Sequence, residues 1–128
     1  MFETKVLPAR RDVVAPDGSD VRMLLGLPGG TMAHFELAPG AVSTAVRHRT
    51  VEEIWFVVSG WGSIWRRLGD DEQIVDLDAG ICVTIPVETE FQFRCDGESP
   101  LRIVAITMPP WPGDDEATRV PGPWRPTV

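Results

Sequence analysis

Reversal signals punctuate this chain at short intervals, and they limit its fold more than any other feature. Pro28-Gly29-Gly30, Pro39-Gly40, Ser59-Gly60, Gly69-Asp70-Asp71, Asp78-Ala79-Gly80 and Asp96-Gly97 each favour a change of chain direction. The runs between them are rich in Val, Ile, Phe, Trp and Thr, side chains that suit a pleated, half-buried surface. Nothing between them has room for a long helix. The 12 Gly and 12 Pro far exceed average usage, roughly 12% for the two together. The pattern is that of an all-β sandwich or barrel. It predicts strands near 21–26, 31–37, 43–49, 53–58, 61–67, 72–77, 81–85, 90–95 and 101–107. Thr50-Val51-Glu52-Glu53 reads as a turn entering a strand, because Ile54-Trp55-Phe56-Val57-Val58 follows it.

At 128 residues and 43% hydrophobic content the chain reads as one domain with a core of its own. The formal charge of −7 argues against a phosphate-backbone binder. Of the basic residues only Lys5 is Lys, and the arginines form short pairs such as Arg10-Arg11 and Arg66-Arg67, not a stripe. No nucleic-acid partner is expected. No segment approaches the roughly 20 apolar residues of a membrane span, and the N-terminus lacks the apolar run of a signal peptide. A soluble, cytoplasmic protein with no membrane partner is the expectation. Cys82 and Cys95 form no CxxC motif and read as small buried hydrophobes.

Three zones follow: an N-terminal arm over 1–20, a barrel over 21–107 and a Pro/Trp-rich tail over 108–128. The tail holds six Pro with Trp111 and Trp124, so it is expected to lie against the body or a second subunit and not inside a strand. Asp70-Asp71-Glu72 reads as a solvated hairpin tip and Asp114-Asp115-Glu116 as a solvated turn.

The most informative segment runs from Gly40 to Gly60. Gly40, His48, Glu53 and Gly60 stand at the fixed positions of G(x)5HxH(x)3-4E(x)6G, with Val46 where the first His belongs. The segment resembles the first motif of the cupin superfamily. The second, G(x)5PxG(x)2H(x)3N, aligns from Gly80 to Pro86; beyond it Glu88 replaces Gly, Phe91 replaces His and Cys95 replaces Asn. The spacer from Trp61 to Ala79 is short, as in small bacterial cupins, and the sequence as a whole resembles small stand-alone cupins of the mannose-6-phosphate isomerase-like type. The resemblance covers residues 21–107 and implies an all-β, single-domain jelly-roll barrel.

It also implies that the metal positions of a cupin are here Val46, His48, Glu53 and Phe91, two of which cannot ligate. With Arg47 and Arg49 outward, the period of two turns Val46 and His48 inward. Gln92 and Arg94 outward put Phe91, Phe93 and Cys95 inward. A metal normally takes three or four side-chain donors. A third could come from His34 or Cys95, which the cupin motif does not assign. No cofactor is expected, with a weakly bound divalent metal at His48, Glu53 and His34 left open. A turn centred between Glu88 and Thr89 would set Cys82 opposite Cys95, yet reduced thiols are the expectation in a cytosol.

Without a metal, His48 and Glu53 can still transfer protons. Burial in general raises a carboxyl pKa and lowers an imidazole pKa, bringing both toward neutrality. This suits an isomerase, lyase or cyclase acting on a small molecule. Val46, Trp55, Trp65, Phe91, Phe93 and Cys95 are the expected pocket, with the inward parity of Arg67 undecided. The alternatives are a non-catalytic ligand-binding or sensing barrel, a barrel filled by its own side chains, and a metal-dependent oxygenase, against which Val46 and Phe91 count. A small-molecule ligand or substrate and a homodimer, through edge strands or the tail, are the expected partners.

Overall fold

The computed structural model describes residues 1–128, and eleven strands carry the fold. They are β1 (Val13–Val14), β2 (Asp20–Leu27), β3 (Gly30–Leu37), β4 (Val46–His48), β5 (Glu52–Ser59), β6 (Trp61–Leu68), β7 (Asp71–Asp78), β8 (Cys82–Ile85), β9 (Glu90–Cys95), β10 (Leu101–Met108) and β11 (Ala117–Arg119). All nine strands expected from the sequence are present. The third is the most trimmed: Val42 makes only an isolated bridge to Arg94, and pairing begins at Val46. No helix is long and apolar enough to cross a membrane.

The strands form two antiparallel sheets, in the orders β1-β2-β3-β10-β5-β8 and β11-β4-β9-β6-β7. Together they make the jelly-roll barrel that the turn pattern anticipates. β5 shows how the sequence sets the faces. Glu53, Trp55 and Val57 are buried while Glu52, Ile54, Phe56 and Val58 are exposed, the alternation a strand imposes. Leu37, Trp55, Val57, Ile64, Leu77, Phe91, Phe93, Leu101 and Ile103 fill the space between the sheets. The Trp55 indole alone removes roughly 150–250 Å² from water. At about 25 cal/mol per Å² that contributes roughly 4–6 kcal/mol before entropy is counted.

Glycine is required where the sheets meet. Gly60 has φ +82°, and a Cβ there would strike the Pro100 carbonyl. A Cβ on Gly62 would run into the Arg94 carbonyl of the neighbouring strand. Glu88 adopts φ +70° although it is not glycine, at the position where the second cupin motif carries Gly.

Three expectations are corrected here. β8 and β9 do not face each other: β8 pairs with β5, and β9 with β4 and β6. Cys82 is therefore exposed on one sheet and Cys95 buried in the other, both as free thiols, so Cys82 is not a core residue and no bridge joins them. The tail does contain a strand, the Pro-free β11, which pairs with β4 as an edge. The acidic run of the tail, Asp114-Asp115-Glu116, is not a solvated turn throughout. A 3-10 turn spans Asp114–Glu116, and Glu116 is buried, accepting the backbone N–H and hydroxyl of Thr50. The rest of the tail packs on the body: the Gln92 side-chain amide donates to the Trp124 carbonyl, and the Arg94 guanidinium lies 4.3 Å from the Trp124 ring.

Candidate functional site

A cavity of about 70 Å³ opens between the sheets at the end marked by His48 and Glu53. Alternation delivers both side chains. Val46 and His48 point inward from β4, whose pairing with Phe91 of β9 and Ala117 of β11 fixes its register. The Glu88 N–H donates to the His48 carbonyl at 3.1 Å and holds the end of β4. Glu53 enters from β5, opposite Thr107 of β10 and Ile85 of β8. Trp55, two residues on and on the same face, donates its indole N–H to Glu53 Oε1 at 2.7 Å.

His48 Nδ1 lies 3.0 Å from the other Glu53 oxygen. The approach is not aligned as a hydrogen bond, so the nitrogen is buried without an acceptor along its N–H direction. Both residues are almost wholly shielded from solvent, 5% exposed for His48 and 3% for Glu53. The imidazole is wedged between the rings of Phe91 and Trp111, at 5.2 and 5.0 Å, both edge-on. The imidazole and the carboxylate both stand at the wall of the cavity.

Asp17 reaches the same cavity from the β1–β2 loop. Its Oδ1 accepts the Ser19 N–H at 2.9 Å and the Ser19 hydroxyl at 2.7 Å. Burial pushes the Asp17 carboxyl above its ordinary value. The two Ser19 hydrogen bonds oppose that rise, the Glu53 charge adds to it, and the His48 charge works against it. On the tail side, burial alone would raise the Glu116 carboxyl, but the Thr50 hydrogen bonds and the nearby His48 hold it below the ordinary range.

Of the pocket residues expected from the sequence, Val46, Trp55 and Phe91 line the cavity with His48 and Glu53. Phe93 and Cys95 point inward but lie deeper, in the packed core; Phe93 sits 5.0 Å from Trp55, and the Cys95 thiol donates to the Ser99 carbonyl at 3.2 Å. The barrel is thus packed around Phe93 and Cys95 and open only at the end near His48. Trp65 does not line it. On β6 the even positions face the core, as buried Ile64 shows, so Trp65 lies outside and donates to Glu72 at 3.1 Å. Arg67 shares that outer face and pairs with Glu90 at 2.8 Å.

His34 is also on an outer face. Ala33 and Phe35 of β3 line the cavity, so His34 between them points away, opposite Arg22 and Val104 in register. Burial lowers its imidazole below the ordinary value, Arg22 and Arg102 push the same way, and Glu36 opposes them. His34 therefore cannot share an ion with His48 and Glu53. No group of three His, Cys, Asp or Glu side chains is arranged to hold a metal. The donor set does not fit the metal that a cupin resemblance implies, because Val46 and Phe91 occupy two of its four positions with hydrocarbon.

Sequence reasoning missed Asp17, Phe35 and Trp111 as cavity residues. The parity of β3 carries a signal for Phe35 once Leu37 is placed in the core. Asp17 and Trp111 come from the arm and the tail, whose return to the barrel end no local pattern encodes.

Residues 33–107 match the family model described as Cupin domain. The protein MJ1618 of Methanocaldococcus jannaschii is 26% identical over 124 residues, covering 90% of this chain and 96% of that protein. Among solved structures, the capsular polysaccharide assembling protein CapF of Staphylococcus aureus superposes with a TM-score of 0.68 at 19% identity, over 80% of this chain and 29% of CapF. An oxalate decarboxylase superposes with a TM-score of 0.69 at 16% identity, over 80% of this chain and 28% of the enzyme. The chain thus spans about a third or less of these two proteins, and at such identities the likeness is one of fold.

Proposed function

The chain belongs to the cupin domain family, and on that premise we propose that it binds a small organic molecule between its sheets, where His48 and Glu53 move a proton on it. The observation that carries this reading is the buried imidazole–carboxylate contact at the wall of a cavity. In the proposed reaction, of the isomerase, lyase or cyclase kind, Glu53 is the base. Its Oε1 is held by the Trp55 indole, which leaves Oε2 beside His48 to take or return the proton. His48 shares that proton and is oriented by the edges of Phe91 and Trp111. The apolar walls exclude water, which strengthens every charge interaction inside.

The size of the cavity restricts the ligand. About 70 Å³ is half of the roughly 150 Å³ that accommodates benzene in an engineered apolar cavity. A molecule of a few heavy atoms fits without movement of Trp111. The test is a screen of such molecules by NMR, followed by His48→Ala and Glu53→Gln on any compound that is turned over. Both variants should fold and lose turnover by at least a hundredfold; turnover unchanged in either one refutes the assignment. A second reading, a non-catalytic binding module, is favoured by the tight packing of the His48 ring between two aromatic side chains. Under it the same substitutions alter affinity and no compound is converted.

A further inference from the structure

The walls of the cavity carry a charge pattern that the proposed reading does not use. Three carboxylates reach it, Asp17, Glu53 and Asp114, and no Lys or Arg does. None of the 11 arginines of the chain lines the cavity; of those next in sequence to lining residues, Arg22 and Arg47 pair with Glu36 and Glu88, and Arg49 is exposed. Rings stand on several sides of the same space. Phe35 and Trp55 meet at 86° with centroids 5.8 Å apart, Trp55 and Phe91 at 89° and 5.6 Å, and Trp111 closes over His48. Perpendicular pairs turn ring faces in more than one direction, and a ring face attracts a cation.

From this combination we infer that the ligand of the cavity is a small organic cation, an ammonium of about three to five heavy atoms. The inference rests on the proposed reading of the cavity as a ligand site and names its ligand class. An anion of the same size would meet three carboxylates with no basic partner but His48. Both Ser19 donors go to Oδ1, so the second Asp17 oxygen is free for the ligand; a neutral donor could bond to it but would leave the carboxylate charges of the wall uncompensated. The cation supplies what this buried carboxyl lacks, and the elevation of the Asp17 pKa by burial and by the Glu53 charge is consistent with a missing countercharge. A bare divalent ion is a poor fit, because it needs three or four donors in one group. An ammonium bound by ring faces and separated carboxylates needs no such group.

Three probes of four heavy atoms each separate the cases: isopropylammonium, isopropanol and acetate. Each is titrated into the full-length protein at pH 7.5 and constant ionic strength, with the indole N–H resonances of Trp55 and Trp111 as readout. Isopropylammonium should shift the Trp55 resonance saturably and bind at least tenfold more tightly than either other probe. Asp17→Asn, which keeps an oxygen for Ser19, should weaken its binding tenfold or more. Asp114→Asn at the exposed mouth should weaken it two- to threefold, and Asp70→Asn on the distant hairpin should leave it unchanged. Isopropanol or acetate binding as tightly as the ammonium overturns the cation inference and leaves the ligand site standing. If none of the three perturbs Trp55 at 100 mM, the inference and the ligand site both fall.

Discussion

Replacing Glu116 tests how the tail is tied to the barrel end. Its carboxylate accepts the Thr50 N–H at 2.8 Å and the Thr50 hydroxyl at 2.6 Å, and Arg49 N–H donates to its carbonyl at 3.0 Å. A hydrogen bond to an ionised group contributes about 1.5–3 kcal/mol. Thr50 is exposed, so water replaces part of what is lost, and about 2 kcal/mol is expected for Glu116→Ala, about 1 kcal/mol for Glu116→Gln. For a domain of this size each kcal/mol moves the melting temperature by roughly 3–5 °C. The alanine variant should therefore melt about 8 °C lower. The pH dependence has a definite sign. The folded carboxyl titrates below its ordinary value of 4.5, so its stabilisation is present above pH 4.5 and is lost as pH falls through the folded value. Urea unfolding from pH 7 down to 3.5 should show the gap between wild type and Glu116→Gln closing with acid. A gap that stays constant with pH, or a Gln variant as stable as wild type at pH 7, would refute the claim that Thr50 holds the carboxylate ionised.

Three further outcomes are expected. Glu88 sits at φ +70°, a conformation costing a side-chain-bearing residue roughly 1–2 kcal/mol. Glu88→Gly should stabilise by about 0.5–1 kcal/mol once the extra unfolded entropy of glycine is subtracted, with little lost from the exposed Arg47 contact; a destabilised variant in urea titration contradicts this. The Asp17 carboxyl is raised above 3.8 in the folded state, so its contribution is most favourable below pH 3.8 and is lost as pH rises through the folded value. Asp17→Asn should remove that loss and unfold at higher urea than wild type at pH 7, and equal midpoints would count against it. Finally, a thiol reagent should modify the exposed Cys82 in the native protein and the buried Cys95 only after unfolding; two reactive native thiols would contradict the burial of Cys95 in the core.

Much of the barrel is legible along the chain because each strand announces itself twice, by its turn residues and by alternation. Glu53, Trp55 and Val57 are consecutive inward positions of one strand, and that parity alone sets the acid on the core side. Where the structure departs from these expectations, contacts between strands decide. The apolar ring of Trp65 suggests an inward position, but the strand from Trp61 to Leu68 carries buried side chains on both faces, Ile64 toward the core and Trp65 beneath the outer Glu72 and Arg67. A hairpin turning between Glu88 and Thr89 would set Cys82 opposite Cys95, whereas the connection crosses from one sheet to the other.

The sequence by itself determined the all-β class, the strand positions, the inward direction of His48 and Glu53, and the absence of the usual three-histidine set, since the chain has only His34 and His48. These are local or arithmetic properties: a turn needs its Gly, Pro or Asp, and a strand shows its faces at every second residue. Only the tertiary structure decided which groups share the cavity. It turned His34 outward, brought Asp17 from the arm and Trp111 from the tail beside His48, and left the arginines outside. Those outcomes depend on which strand edges pair and where the chain ends return. Long-range burial sets both, and no short window of sequence records it.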